Sequence, residues 1–308
     1  MTTEALSFPL DRPTRFTGIE VSVSGPESLS LRQAVGPRFH DHRGHTTIGS
    51  IGVLTDLAVG TPVGLARFNR TGVRQQAVIA QLTASTAHHL PTTGVVAGVG
   101  RGLHFDETAG LASAEIHDDE GNLVVHLIGR TIAVGRGAVE LVSDDTHPGS
   151  AAEVAPEPSA EPGVLAELSG LDVVAGIAAG SVPRGPLAGM LGLEVRSVER
   201  GTVRADLTPS GWMANPLGSV QGGVLVSIAD AVTGLAVQTL TDIGQQYRVL
   251  QLSVDYLRSP AVPGPVVHVQ SDVVRAGRRL ASLETVLTGP DGTVYVRAHA
   301  NAQLLPAG

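Results

Sequence analysis

The chain has 308 residues, enough for two ordinary domains, and its 42% hydrophobic and 16% charged content describes a globular chain with ample core. A net charge of −8 with only 3% aromatic residues is the reverse of a nucleic-acid binder, which carries a basic stripe and stacking rings. The absence of cysteine excludes disulfides, thiolate metal sites and a cysteine nucleophile.

From the start of the chain, Met1–Pro13 carries Glu4 and Asp11 and has no apolar core of signal-peptide length. The longest apolar stretches are Ile48–Ala66 and Gly223–Leu240. Each contains an Asp and many small residues, so neither is a clean run of the roughly 20 apolar residues a membrane helix needs. These features predict a cytoplasmic protein with no membrane partner.

In the first half, His40, His42 and His45 alternate on a loop before the apolar stretch, with His88 and His89 further on. Such histidines can ligate zinc, but no HExxH helix or other known ligand spacing is present, and no metal or cofactor is predicted. Pro62 is expected to end or kink the following helix near Gly60. Gly98-x-Gly100-x-Gly102 leads into no helix and is therefore not a dinucleotide fingerprint. No GxSxG nucleophile elbow occurs.

Ser143–Gly163, rich in Pro, Ala, Glu and Ser without apolar periodicity, has the composition of a linker. Val164–Ala179 then shows helical apolar spacing with no counterpart at the start of the first half. Leu193–Val198 and Thr202–Leu207 flank a Glu-Arg-Gly turn, a strand–turn–strand signal, and a helix over Gly223–Leu240 follows. That helix is apolar nearly all round, which predicts burial. Strands are predicted at Arg248–Leu257, Val266–Arg275, Leu280–Leu287 and Thr293–Leu304, the last pair turning at Pro290-Asp291-Gly292. One helix among hairpin-linked strands argues for an α+β fold in which an antiparallel sheet wraps a central helix.

The two halves repeat. Gly18-Ile19-Glu20-Val21 lies over Gly192-Leu193-Glu194-Val195, and at the same shift Asp41 falls on Asn215, Gly44 on Gly218, Gly49 on Gly223 and Asp56 on Asp230. Further on, Gln81-Leu82-Thr83 meets Gln251-Leu252-Ser253, Leu111–Glu115 meets Leu280–Glu284, and Gly121 meets Gly292. The predicted organisation is a first domain over 1–143, a linker over 144–163 and a second domain over 164–308.

Asn215-Pro-Leu-Gly-Ser-Val-Gln221-Gly222-Gly223, followed by Asp230, resembles the signature of hotdog-fold thioesterases, closest to the phenylacetyl-CoA thioesterase-like branch. That family reads Asn, five residues, His-Gly-Gly and then an acid; Gln221 stands where it has His. The resemblance covers the second half, including Arg275-x-Gly277-Arg278 and Asp291-Gly292. In the first half Asp41, Thr47 and Ile48 replace Asn, His and the first glycine, while Asp56 remains.

The resemblance implies two fused hotdog domains and hydrolysis of acyl-CoA to free acid and CoA. N–H groups at a helix start can stabilise the charge that develops on a thioester oxygen, and glycine lets the ligand approach them. A carboxylate would attack or activate water. Asp230 lies roughly 12 Å along its helix from Gly222. One helix therefore does not easily bring both groups to one carbonyl, whereas two antiparallel helices can.

The stronger expected site pairs Asn215, Gln221, Gly222 and Gly223 with Asp56, the preferred nucleophile or general base. The reciprocal site pairs Asp230 with Asp41, Thr47 and Ile48 and is expected to be weak or dead. Arg275, Arg278 and Arg279 are candidates for the CoA phosphates, since Arg suits phosphate geometry, with only Arg101 in the equivalent region of the first half. Trp212 either borders an acyl pocket or packs in the core.

A hotdog enoyl-CoA hydratase is disfavoured, because Asn215-Pro216 lacks the Asp and His that such a run needs. A non-catalytic acyl-CoA binder stays open, since Gln221 cannot shuttle a proton as His does. The resemblance also allows a homodimer of fused chains.

Overall fold

A computed structural model describes residues 10–72, 77–134, 149–151 and 155–306. Of the expected linker, residues 144–148 and 152–154 lie outside them. The first half runs α1 (Arg12–Thr17), β1 (Glu20–Gly25), β2 (Ser28–Val35), α2 (Gly52–Thr71), β3 (Ala77–Thr86), β4 (Gly94–Phe105), β5 (Ala109–His117) and β6 (Leu123–Ala133). The second runs α3 (Pro162–Glu167), α4 (Gly170–Ala179), α5 (Pro186–Leu191), β7 (Glu194–Glu199), β8 (Thr202–Leu207), α6 (Gly222–Gln238), β9 (Gln246–Tyr256), β10 (Val267–Ala276), β11 (Leu280–Thr288) and β12 (Val294–Leu305).

The twelve strands form one antiparallel sheet in the order β1-β2-β4-β5-β6-β3-β9-β12-β11-β10-β8-β7, which reads equivalently from both ends. The halves join through β3 and β9, where Thr83 lies opposite Ser253, with Leu82 opposite Val254 and Ala84 opposite Leu252. The repeat maps Thr83 onto Ser253, so a pseudo-two-fold axis passes through this pair, whose hydroxyls are 2.9 Å apart. Burial alternates along strands such as β5, as an antiparallel sheet with one covered face requires. The covered face wraps α2 and α6, and α6 is buried almost all round, as its composition predicts. The fold is the expected α+β tandem hotdog. By length and composition Gly49–Thr71 could cross a membrane, but most of it is buried against the sheet as a core helix.

Three expectations need correction. First, the helix does not end near Gly60, because α2 continues through Pro62 to Thr71. Proline removes the N–H that would bond the Ala58 carbonyl. That carbonyl abuts Gly100 so closely that a Cβ there would collide with it, and the Pro62 ring lies 3.0 Å from the same point. Gly98 and Gly102 meet Leu54 and Ala66 on the same strand face. The glycine triplet is therefore a seat on which the proline-bearing helix rests. In the second half the equivalent of Gly100 is Ser271, and a buried hydroxyl chain runs from Thr233 to Thr285 (2.7 Å) to Ser271 (2.8 Å).

Second, the match of Leu111–Glu115 to Leu280–Glu284 is two residues out of register. Leu111 pairs with His104 and Ser282 with Arg275, each just beyond a bulge, so Leu111 corresponds to Ser282. A slip of two keeps the same face inward, so the pattern alone could not expose it. Third, Val164–Ala179 is two helices, α3 and α4, and the short helices α1 and α5 were not predicted. Ser169 caps α4 by accepting the Asp172 N–H, which explains the break. Asp11 followed by Pro13 is the start signal that could have located α1.

Candidate active site

The two loops that precede the long helices are built alike. Asn215 Oδ1 accepts the N–H groups of Leu217 (2.9 Å) and Ser219 (3.2 Å), and Asp41 Oδ1 accepts those of Arg43 (2.8 Å) and His45 (3.0 Å). Gly218 and Gly44 turn each loop with positive φ. Asn215 and Asp41 are thus committed to folding their own loops. Asn215 makes no hydrogen bond with Gln221 among the described residues.

The loops deliver α2 and α6 to a crossing at which Gly52 and Gly223 bring the two backbones together, with no room for a Cβ on either. Gly49 lies against Asp230, Gly52 against Ser227 and Gly222 against Asp56, so the helices run antiparallel. Ser227 fastens them by donating to the Gly49 carbonyl at 2.6 Å. Each acid therefore lies at the start of the other half's helix, the reciprocal placement expected from the distance along one helix.

Asp56 is half-buried beside Gly222, where a Cβ would collide with its Oδ1 and approach the Tyr256 ring. No hydrogen-bond donor meets Asp56 among the described residues. Burial, together with the nearby Asp11 charge, pushes its carboxyl up to about 7. Tyr256 donates to the Gly222 carbonyl at 3.2 Å, and burial, then the Asp56 charge, keeps its phenol protonated. Helix α6 starts without a side-chain cap, because Gln221 turns away from its own helix. The Gln221 Nε2 donates instead to Asp11 Oδ2 at 2.9 Å. The site thus offers an unbonded acid next to the positive end of a helix.

Asp230 differs. It is 2% exposed, and its Oδ2 accepts the Gly49 N–H at 2.8 Å. Burial raises its pKa, opposed by Thr47 and Gly49 as donors. Nearby, Asp41 is bound by Arg43, whose guanidinium lies 3.6 Å over the Tyr247 ring. Burial acts to raise the Asp41 carboxyl, but the charges of Arg43 and its neighbours hold it well below the usual carboxylate range. A cavity of about 310 Å³ opens here, lined by Thr47, Ile48, Asp230, Leu235, Tyr247 and Arg248 among others. Sequence reasoning gave no signal for a cavity on this side.

Arg275, Arg278 and Arg279 are exposed around the β10–β11 turn, and none lines the cavity. The Arg279 carbonyl accepts the Leu304 N–H, one residue from the cavity-lining Leu305. Arg101 is likewise exposed on β4. Trp212 stacks on Phe16 at 4.3 Å, locking α1 to the loop before α6. The loop histidines take separate partners, His40 on the Thr92 carbonyl and His42 on Gln238. Asp11 and Tyr256 at one site, and Tyr247 at the other, were missed by sequence reasoning.

The thioesterase superfamily family model matches residues 217–296, a span that contains Gln221, Gly222, Gly223 and Asp230. No curated protein matches the chain. Among solved structures, the tesB protein of Mycobacterium avium subspecies paratuberculosis is 13% identical, with a TM-score of 0.57 over 93% of this chain and 96% of that one. Acyl-CoA thioesterase II TesB2 from Mycobacterium marinum is 10% identical, with a TM-score of 0.58 over 96% and 99%. A hot dog fold protein of unknown function from Alicyclobacillus acidocaldarius is 11% identical, with a TM-score of 0.57 over 96% and 99%. At these identities the likeness is one of fold, and it extends over both halves. The chain is a tandem hotdog-fold protein whose second half, over residues 217–296, matches the thioesterase superfamily.

Proposed function

We propose that the chain hydrolyses acyl-CoA thioesters to free acid and CoA at the composite site where Asp56 of the first half meets Gly222 of the second. The carrying observation is the half-buried Asp56 carboxylate, unbonded among the described residues, beside an uncapped helix start. A thioester carbonyl set against Gly222 and Gly223 develops its negative charge at the positive end of α6. Asp56 takes a proton from the attacking water, the C–S bond breaks, and CoA leaves as the thiolate and takes up that proton. If Asp56 attacks the carbonyl itself, CoA leaves in the same way and water then hydrolyses the acyl–Asp56 anhydride to the free acid and the regenerated carboxylate. At the reciprocal site the Asp230 Oδ2 already holds the Gly49 N–H, so that donor is not free for a thioester oxygen. This supports the reading of that site as weak.

A second reading rests on the cavity beside Asp230: acyl-CoA binds there without turnover. Purified protein incubated with a panel of acyl-CoAs and a thiol-trapping reagent separates the two. CoA release abolished in Asp56→Asn and kept in Asp230→Asn supports hydrolysis at Asp56. Loss in Asp230→Asn alone moves the reaction to the cavity side, and tight binding without release makes the chain a binder. Phenylacetyl-CoA heads the panel, after the branch the second half resembles, and the exposed Arg275, Arg278 and Arg279 are assigned to the CoA phosphates. The same reading divides the chain at 1–143, 144–163 and 164–308, places it in the cytoplasm and allows a homodimer of fused chains.

A further inference from the structure

The structure assigns to the cavity beside Asp230 a ligand of its own, the anion of a small carboxylic acid, with the carboxylate on Arg248 and the apolar tail against α6. The free acid released by hydrolysis at Asp56 belongs to this class, yet the binding does not depend on that reaction.

Three arginines line the cavity, and two of them are committed. Arg43 gives its Nε and Nη2 to Asp41 and its Nη1 to the Tyr247 carbonyl. Arg184 gives its Nε and Nη2 to Glu157 and its Nη1 to the Leu193 carbonyl. Arg248 is different. Among the described residues it has no ion pair, and its Nε is buried without a partner. Its side chain makes a single, long hydrogen bond there, from Nη2 to Gln303 Oε1 at 3.4 Å. The two acids on the cavity wall do not answer it, since Asp41 is bound by Arg43 and Asp230 holds the Gly49 N–H. A guanidinium fork left open in this way matches a carboxylate.

The neighbours of Arg248 complete the pocket. Thr86 donates to the Val249 carbonyl at 3.2 Å, which brings the end of β3 beside Arg248, and the exposed His88 and His89 follow on the cavity wall. Leu187 and Ala188 of α5, Ala231 and Leu235 of α6, Val249 and Leu305 supply the apolar wall. A volume of about 310 Å³ equals roughly ten water-sized atoms at about 30 Å³ each. That is the size of octanoate or phenylacetate, so such an acid fits whole, whereas an acyl-CoA could place only its acyl part inside. The Gly49 N–H, held by Asp230, is also not free for a thioester oxygen.

The fold does not require this arginine. Matching bulges skip Ala80 on β3 and Leu250 on β9, which makes Val78 the equivalent of Arg248 and Ala77 that of Tyr247. The charge therefore belongs to the cavity side alone.

The test titrates octanoate and phenylacetate into the full chain by calorimetry, with octanamide as the uncharged control, while NMR follows the methyl groups of Leu187, Leu235 and Val249. Octanoate is expected to shift these methyls and to bind at least about tenfold more tightly than octanamide. Arg248→Gln should weaken octanoate roughly tenfold and leave octanamide within about twofold, and Arg248→Lys should recover part of the loss. Added salt should weaken octanoate in wild type more than in Arg248→Gln. Equal affinities for octanoate and octanamide, or an octanoate affinity unchanged in Arg248→Gln, overturn the assignment. So does octanoyl-CoA shifting the same methyls where octanoate does not, which makes the cavity an acyl-CoA site. Octanoate binding as expected in a protein that releases no CoA supports the assignment and overturns only the hydrolytic reading.

Discussion

Asp56 and Asp230 occupy equivalent positions on equivalent helices, yet one carboxylate is unbonded among the described residues and the other holds a backbone N–H. The difference arises at the start of the opposing helix. Before α6 stand Gln221 and Gly222, with Asp11 reaching in from α1; before α2 stand Thr47 and Ile48, and the residue equivalent to Asp11 is Gly185. The short 3-10 turn Gly49–Ile51 ahead of α2 presents the Gly49 N–H to Asp230, while α6 begins directly at Gly222. A few residues at a helix start thus decide whether the opposing acid holds a backbone N–H, as Asp230 does, or none among the described residues, as Asp56 does, while burial raises the pKa of both. A cavity of about 310 Å³ lies on the Asp230 side.

The largest effect expected is on turnover. Asp56→Asn should lower CoA release by at least about 100-fold, the scale of a lost general base, and Asp230→Asn by less than about threefold. Equal losses in the two variants would erase the contrast between the sites. Next, Gly222→Ala drives a methyl group into the Asp56 carboxylate and should cost roughly 10- to 100-fold in kcat. Gly49→Ala crowds Asp230 instead and should lower unfolding stability by about 1–3 kcal/mol in a denaturant titration while leaving turnover nearly intact.

The seats under the two helices allow a parallel comparison. Gly100→Ala sets a methyl group against the Ala58 carbonyl and should cost about 2–3 kcal/mol. Ser271→Ala, which only shortens a hydroxyl chain, should cost about 1 kcal/mol. Thermal melts of the two variants read this directly; a Gly100→Ala protein as stable as wild type would show that the helix can lift from its seat.

A further effect concerns pH. Asp56 binds its proton more tightly folded than unfolded, because burial pushes its carboxyl from the ordinary range up to about 7. Its contribution to stability is therefore complete below about pH 4 and is lost as pH rises through about 7. Asp56→Asn should stabilise the protein by about 1–2 kcal/mol at pH 8 and leave it little changed at pH 4, a discounted figure for a half-buried group. If hydrolysis uses the ionised acid, its rate should climb through the same window near pH 7.

Much of the fold was readable from the chain because its signals were redundant. The nearly all-apolar surface of α6 announced burial, and two Asp residues in equivalent apolar helices announced two acids at the helix crossing. Asn215 and Asp41 matched in sequence because each folds the same loop. What stayed hidden depends on contacts between distant segments. Pro62 looked like a break because nothing in the sequence tells that Gly100 will lie under the exposed carbonyl. The hydrogen bond from Gln221 to Asp11 spans 210 residues, and no local pattern encodes it. A two-residue register slip is invisible to a pattern of period two.

The exchange of acids across the crossing helices shapes how such a chain can evolve. In a dimer of identical subunits every mutation strikes both centres at once. Here a substitution at Thr47 or Ile48 touches the Asp230 side alone, while Asp56, carried by the same copy, stands at the start of the other half's helix, so the two sides can diverge independently.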